Sequence, residues 1–196
     1  MSGLVYIHGT NGSGKSTLAR VVISYAGGVS GQSKLVSNPR ATYTHLGTPG
    51  VVLAGKYGNA CGGVDGIHPY ADVHTVLAEQ AALGRSVLAE GLVTPGVETC
   101  QRFAALFDKA VFIALDVPDT VCIDHVLRRR ARAGNVKEYS PDNLLRKGAS
   151  TRRWAQRLQG AGLQAVALQW LPALHLTLST LGVPAPATRD LIGTTP

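Results

Sequence analysis

A nine-residue stretch near the amino terminus, GTNGSGKST at positions 9–17, constrains the fold more than any other part of the sequence. Its fixed positions match G-x-x-x-x-G-K-[ST], and it lies between an apolar run at 4–7 and an amphipathic segment. Glycines in such a loop let successive backbone N–H groups point at phosphate oxygens, and the positive end of the following helix adds its dipole. The sequence therefore predicts a nucleotide-binding P-loop between a first strand and a first helix.

Two side chains at the end of this loop have separate predicted tasks. Lys15 reaches the β- and γ-phosphates of a nucleoside triphosphate, and the hydroxyl of Ser16 ligates Mg²⁺. We therefore predict ATP and Mg²⁺ as the ligands of the loop. The loop residues predicted to bind the nucleotide are Gly9, Thr10, Asn11, Gly12, Ser13, Gly14, Lys15, Ser16 and Thr17.

Short apolar segments alternate with amphipathic ones along the rest of the chain, which is typical of a parallel sheet covered by helices. The predicted core strands are 4–7, 86–91, 110–116 and 163–168, with a hairpin or short strands within 30–66. The predicted helices are 15–26, 70–83, 97–107, 117–135, one that starts at 140–141, and 171–181. The fold prediction is α/β: a three-layer P-loop NTPase fold with a mainly parallel five-stranded sheet flanked by helices, plus a small arginine-rich lid.

Chain length, composition and net charge restrict the class of protein. A chain of 196 residues that is 45% hydrophobic predicts one domain, at 1–182, with the lid at about 128–140 and a Pro/Thr-rich tail at 183–196. No apolar run approaches the roughly 18 residues of a membrane span, and no secretory leader is recognisable, so we predict a cytoplasmic protein without a membrane partner. Three widely spaced cysteines predict reduced thiols. The net charge of +7 favours an anionic partner.

The positive charge is concentrated in one segment. Ten of the 19 basic residues lie between Arg128 and Arg157. Arg128 and Arg132 are four residues apart and share one face of a predicted helix, so we predict that both bind the nucleotide phosphates. Arg128 is also predicted to be catalytic, because arginine neutralises charge in a phosphoryl-transfer transition state. The alternative is a solvated basic helix end.

Two carboxylates are candidates for the acceptor side. Glu90 ends a predicted core strand, and ligands of parallel sheets gather at the carboxyl ends of strands. We predict that Glu90 holds Mg²⁺, directly or through water, or orients the acceptor. Asp65 lies in a glycine-rich loop, where it is predicted to accept the proton of a substrate hydroxyl. Backbone hydrogen bonding by Glu90 and an Asp-Gly turn at Asp65 are the alternatives without chemistry.

Three segments carry a resemblance to a known family. LAGKYGNACGGVDGI at 53–67, VLAEGLV at 87–93 and LDVPDTVCIDHVLRRRARAGN at 115–135 resemble the bacteriophage 5-hydroxymethyluracil DNA kinases, small P-loop kinases of the nucleoside-monophosphate-kinase-like group. The resemblance covers about residues 3 to 169. The sequence departs from the family pattern at Val64, where that pattern has a second cysteine.

The resemblance implies a substrate as well as a fold. Kinases of this family phosphorylate the 5-hydroxymethyl group of a modified pyrimidine in DNA, a step toward DNA hypermodification. The resemblance places the acceptor side at Asp65 and Glu90, and it implies that DNA contacts some of the basic residues that follow the lid. Those predicted to contact DNA are Arg146, Lys147, Arg152 and Arg153.

Two other functions use the same residues. The P-loop core fits a kinase of a free nucleotide, a nucleoside monophosphate or a small hydroxylated metabolite, because fold does not fix the acceptor. It also fits a nucleotide-binding regulator without transferase activity. A polymer substrate predicts activity that weakens steeply with salt, whereas a small acceptor predicts little salt dependence.

Overall fold

The computed structural model describes residues 1–57, 63–135 and 138–184. Its strands are β1 Gly3–His8, β2 Val29–Lys34, β3 Thr42–Leu46, β4 Val51–Ala54, β5 Ser86–Gly91, β6 Lys109–Leu115 and β7 Ala165–Leu168. Its helices are α1 Lys15–Tyr25, α2 Ala71–Ala82, α3 Val97–Ala104, α4 Asp119–Arg132, α5 Asp142–Gly160 and α6 Trp170–Leu181, with a 3₁₀ turn at Val64–Gly66. The predicted helices are confirmed to within a few residues at their ends.

All the described strands form one sheet, in the order β2-β3-β4-β5-β1-β6-β7. Neighbouring pairs from β4 to β7 are parallel, whereas β3 pairs antiparallel with both β2 and β4. The predicted α/β fold with a mainly parallel sheet is confirmed, and the predicted number of five strands is corrected to seven. The extra strands form an antiparallel edge, where β2 (VSGQSK) is largely exposed and lacks the apolar pattern of a core strand.

The central strand β1 faces two hydrophobic cores because its side chains alternate between the faces of the sheet. Leu4 and Tyr6 lie in the core that covers one face with α2, α3 and α5. Val5 and Ile7 lie in the core that covers the other face with α1 and α6. This three-layer arrangement leaves the carboxyl ends of the parallel strands accessible for a ligand.

Helix α4 lies outside these two cores. It packs on α5 through a small separate cluster that contains Cys122, Val126 and Leu144. Cys100 and Cys122 are buried and free, as predicted, and Cys61 lies outside the described residues. Also outside them are residues 136–137 of the predicted lid and 185–196 of the predicted tail. Among the described residues, no helix is long and apolar enough to cross a membrane.

Candidate active site

A cavity of about 690 Å³ lies at the carboxyl ends of β1 and β5. It brings together the P-loop, both predicted acceptor-side carboxylates and the basic side of α4. The lining residues are Asn11, Gly12, Gly14, Lys15, Ser16, Thr17, Arg20, Asp65, Glu90, Leu92, His125, Arg128, Arg129 and Arg132. Segments that are far apart in the sequence therefore converge on one site.

The P-loop has a backbone shape that requires glycine at Gly12. Its φ is +80°, and a Cβ atom there would lie 2.3 Å from the carbonyl oxygen of Cys122. The ring of His125 donates from Nδ1 to the carbonyl oxygen of Gly12 at 2.9 Å. Both contacts join the loop to α4. His125 was not predicted from the sequence, because it belongs to no motif of its own and is recognised only from its contact with the loop.

Two further hydrogen bonds attach the loop to α5 and α6. The hydroxyl of Thr10 donates to the carbonyl oxygen of Leu144 in α5 at 3.2 Å. The indole of Trp170 in α6 donates to the carbonyl oxygen of Gly14 at 3.3 Å. The loop is therefore attached to three helices besides its own, which holds its amides in place before a ligand binds.

Lys15 lies folded over the loop. Its Nζ donates to the carbonyl oxygens of Gly9 at 2.8 Å and Thr10 at 3.1 Å. Burial lowers the pKa of Lys15, and the negative charges of Glu90 and Asp65 oppose that shift. In the described part of the chain, Lys15 forms no salt bridge. The residue lines the cavity.

Glu90 is only 3% exposed and is held by two hydroxyl groups. Ser16 and Tyr57 both donate to its Oε1, each at 3.2 Å. Burial raises the pKa of Glu90, while the charge of Lys15 and the two hydrogen bonds act in the opposite direction. Tyr57 was not among the predicted site residues, although it lies in the segment 53–67 that carries the family resemblance.

Ser16 and Glu90 fit a magnesium ion in their chemistry. Mg²⁺ prefers oxygen ligands and is usually bound by one or two side chains together with water and substrate phosphates. The Ser16 hydroxyl and the Glu90 carboxylate meet at 3.2 Å beside the P-loop. Among the described residues there is no group of three or more His, Cys, Asp or Glu side chains that could hold a metal by themselves. A magnesium ion here would therefore depend on the nucleotide for its remaining ligands.

Asp65 lies on the 3₁₀ turn and faces the loop that follows β5. Its two carboxylate oxygens accept hydrogen bonds from the amide of Leu92 at 2.9 and 2.8 Å, and Oδ1 accepts another from the amide of Val93 at 3.2 Å. A Cβ atom at Gly91 would lie 2.8 Å from Asp65 Oδ1 and 2.7 Å from a methyl group of Val64. The carboxylate is therefore oriented at the cavity wall by the backbone directly after Glu90.

His8, the last residue of β1, connects the P-loop strand with this same loop. The carbonyl oxygen of Gly91 lies 3.2 Å from Nδ1, and the hydroxyl of Thr94 lies 3.0 Å from Nε2. Burial lowers the pKa of His8 to about 4, so the ring is neutral at pH 7. Because a carbonyl oxygen only accepts, Nδ1 carries the proton and Nε2 accepts from Thr94. His8 was not predicted as a site residue from the sequence.

The arginines of α4 have different surroundings. Arg128, Arg129 and Arg132 line the cavity. Arg128 also forms a salt bridge at 2.8 Å with Asp124, one helical turn earlier. Arg130 instead lies over the ring of Tyr139 at 5.5 Å. The two predicted nucleotide-binding arginines therefore lie at the cavity, and Arg129 joins them.

The basic residues predicted to contact DNA do not form one surface. Arg152 lies 3.5 Å from Asp116 and 3.9 Å from Asp119, in two salt bridges. Lys147 is half-buried on the side of α5 that faces the P-loop, where its charge acts on both Lys15 and His8. Arg146 and Arg153 are exposed.

Comparison with known proteins identifies the family. No protein-family model matches the chain. A protein of Pseudomonas phage PaMx11 named 5-hmdU DNA kinase is 31% identical over 183 residues, which cover 88% of this chain and 93% of that relative. The chain belongs to the 5-hmdU DNA kinase family. A 5-hmdU DNA kinase of Delftia phage PhiW-14 is 32% identical over 161 residues, which cover 74% of this chain and 59% of that longer relative.

Membership in the 5-hmdU DNA kinase family confirms the resemblance predicted from the three sequence segments. Both relatives are named kinases, so the prediction of a phosphotransferase is confirmed at the level of the family. The roles of individual site residues stay predictions.

Proposed function

We propose that the protein transfers the γ-phosphoryl group of ATP to the 5-hydroxymethyl hydroxyl of 5-hydroxymethyluracil in DNA. The observation that carries this proposal is the convergence of Lys15 and Ser16 with Asp65 and Glu90 on one cavity. A phosphoryl donor and an acceptor hydroxyl must meet in such a place, with their reacting atoms in line. The names of the two relatives support the choice of a DNA acceptor.

On the donor side, the amides of residues 9–17 and the ammonium group of Lys15 bind the phosphates of ATP. Lys15 exchanges its hydrogen bonds to the carbonyl oxygens of Gly9 and Thr10 for phosphate oxygens. Arg128 and Arg132 approach from α4 and neutralise the negative charge that develops as the γ-phosphoryl group moves. Arg128 leaves its exposed pairing with Asp124 for this, at little cost, because exposed ion pairs contribute only about 0–1 kcal/mol.

Ser16 and Glu90 hold Mg²⁺ in this proposal. When bound, the ion neutralises charge on the β- and γ-phosphates. Glu90 must be ionised to bind a cation, and Tyr57 and Ser16 stabilise that ionised form by donating to Oε1. The buried position of Glu90 also keeps its carboxylate from swinging into solvent.

On the acceptor side, Asp65 orients the 5-hydroxymethyl hydroxyl and takes its proton. The substrate oxygen forms a bond to the γ-phosphorus, the bond from that phosphorus to the β–γ bridging oxygen breaks, and ADP leaves. Leu92 and Val93 hold the Asp65 carboxylate through their amides, so its position is set before the substrate arrives.

The deciding experiment measures transfer of label from γ-³²P-ATP to three acceptors. These are an oligonucleotide with 5-hydroxymethyluracil, the same oligonucleotide with thymine, and the free 5-hydroxymethyl-dUMP nucleotide. The proposal expects label on the first, none on the second, and less on the third. A Lys15→Met variant serves as the control for P-loop dependence. Label on the free nucleotide with none on DNA would overturn the DNA acceptor and support a small-molecule kinase.

A further inference from the structure

The basic residues of α5 separate into two sets with different surroundings. Lys147 faces the P-loop, and Arg152 is paired with Asp116 and Asp119. Arg146, Arg153 and Arg157 are exposed, and we call these three residues the α5 arginine stripe. This division follows helix geometry, since positions seven and eleven residues apart return to the same face after about two and three turns.

The guanidinium groups of the α5 arginine stripe have no anionic partner in the part of the chain that the structure describes, because the salt bridges there involve other arginines. Asp142 is the one acidic residue in the sequence of α5, and its carboxylate accepts a hydrogen bond from the hydroxyl of Ser140 at 2.9 Å. A row of three unpaired cations on one helix face repels itself and favours a polyanionic ligand.

The stripe begins beside the candidate active site and runs away from it. The first turn of α5 is attached to the P-loop where Thr10 donates to the carbonyl oxygen of Leu144. Arg146 follows two residues later. Arg153 and Arg157 lie about 10 Å and 16 Å further along the axis at 1.5 Å per residue. A span of about 16 Å corresponds to roughly five nucleotides at 3.4 Å per step along one strand of a duplex.

We infer that the α5 arginine stripe binds the sugar-phosphate backbone of DNA on one side of the acceptor nucleotide. The arginine fork matches phosphate oxygens, and backbone contacts of this kind position a strand without reading its sequence. The inference rests on the proposed function, since it takes DNA as the acceptor. It separates two tasks: Arg128 and Arg132 serve ATP on α4, whereas Arg146, Arg153 and Arg157 hold the polymer on α5.

Binding without ATP tests the stripe directly. The probe is a fluorescently labelled 12-nucleotide single strand with one central 5-hydroxymethyluracil, and its dissociation constant is measured by anisotropy from 50 to 400 mM NaCl. The test variant is Arg146→Gln/Arg153→Gln/Arg157→Gln. The matched control, Lys34→Gln/Arg102→Gln/Lys109→Gln, removes three other exposed charges from β2, α3 and the start of β6.

Losing three phosphate contacts makes the slope of the plot of the logarithm of the association constant against the logarithm of the salt concentration shallower by about 2. At 0.1 M salt this corresponds to about 100-fold weaker binding. The control variant keeps the wild-type slope to within about half a unit. A stripe variant with the wild-type slope, or a control variant that loses as much as the stripe variant, overturns the inference.

Kinetics separates the failure of this inference from that of the proposed function. The stripe variant is expected to raise the KM for the oligonucleotide relative to the KM for 5-hydroxymethyl-dUMP, with the larger change in KM rather than in kcat. If wild-type protein labels the oligonucleotide and the stripe variant shows no change in this ratio of KM values, DNA binding by the stripe is refuted and the proposed kinase function is retained. If wild-type protein labels no DNA while the stripe variant loses DNA binding, the proposed function is refuted and DNA binding by the stripe is retained.

Discussion

Glu90 connects the P-loop with the loop that holds Asp65. It is a buried residue of β5, it accepts a hydrogen bond from the P-loop residue Ser16, and the next residue packs against Asp65. The ionised form of Glu90 is stabilised by Lys15 and by the hydroxyl groups of Ser16 and Tyr57, and it is destabilised by burial. Burial is the larger effect on the pKa of Glu90, which lies above its ordinary value of 4.5.

Replacing Glu90 with Gln is therefore expected to separate stability from activity. A carboxyl group whose pKa is raised by folding contributes stability below its unfolded pKa, and this contribution is lost as pH rises through the folded pKa. Because glutamine does not ionise, the Glu90→Gln variant does not lose this stability as pH rises. Its melting temperature should exceed that of the wild type by a margin that grows as pH rises from 4.5, while Mg²⁺-dependent transfer falls about 100-fold.

Thermal unfolding at pH 4 to 8 and initial rates at saturating ATP measure these two effects. Tyr57→Phe is the companion variant, because it keeps the carboxyl group and removes one of its two donors. A Glu90→Gln variant with full activity would contradict the metal-binding role.

A substitution at Gly12 measures the importance of the close approach between the P-loop and α4. Gly12→Ala places a Cβ atom 2.3 Å from the Cys122 carbonyl oxygen at a φ of +80°. Gly28→Ala is a matched control, because Gly28 has a φ of +83° and nothing within 4 Å of its Cβ position. The left-handed conformation alone costs about 1 kcal/mol.

We expect the control to lose about that amount of unfolding free energy in urea, and Gly12→Ala to lose more and to bind ATP at least about 10-fold more weakly. Equal losses in the two variants would show that the contact with Cys122 has no consequence.

At the scale of elements, the antiparallel edge of the sheet acts on the active site through Tyr57. The Thr44 hydroxyl of β3 donates to the carbonyl oxygen of Gly55 at 3.0 Å and accepts from the amide of Tyr57 at 3.2 Å. The side-chain amide of Gln32 in β2 donates to the carbonyl oxygen of Tyr57 at 2.7 Å. Strands that do not line the cavity thus place Tyr57, the residue that donates to Glu90.

Thr44→Val is expected to reduce activity from a distance. The substitution keeps the shape of a fully buried residue and leaves an amide and a carbonyl without their partner, at a cost of about 1–3 kcal/mol. We expect kcat to fall by a smaller factor than for Tyr57→Phe, because the tyrosine is displaced rather than removed.

Thr42→Val, two residues earlier in β3 and also buried, is the control with the same change of side chain. Urea unfolding gives the stability difference between the two valine variants, and initial rates give kcat. If Thr44→Val matched Thr42→Val in both measurements, the edge strands would have no part in positioning Tyr57.

For the whole molecule, His8 makes folding stability depend on pH. Its folded pKa is about 4 and its ordinary value is 6.5, so the unfolded chain takes up a proton first as pH falls. A histidine with a lowered pKa costs no stability above pH 6.5, and stability is lost as pH falls from 6.5 toward 4. The loss is at most about 3 kcal/mol, since one pKa unit equals 1.36 kcal/mol.

A His8→Asn variant should flatten this acid limb of the stability curve, because asparagine does not titrate. Urea unfolding at intervals between pH 4 and 8 measures it, with His175→Asn on α6 as the control histidine. An unchanged acid limb in His8→Asn would assign the pH dependence to other groups.

The sequence alone was sufficient to predict a P-loop between the first strand and the first helix. A P-loop is a local structure, in which glycines, lysine and serine act within one turn and the flanking strand and helix follow from local patterning. The parallel strands were also recognisable, because each is a buried apolar run bounded by turn residues. Asp65 and Glu90 were predicted as site residues from their loop and strand-end positions, and the structure brings both to the cavity that the P-loop lines.

Tertiary structure decided what residue type and spacing do not encode. The edge strand β2 is polar and exposed, so only its pairing with β3 identifies it as part of the sheet. His8, Tyr57 and His125 obtain their places from partners 83, 33 and 113 residues away. The basic residues of α5 look alike in sequence, and only the packing of that helix determines which of them face the P-loop, which are paired, and which are exposed without an anionic partner among the described residues.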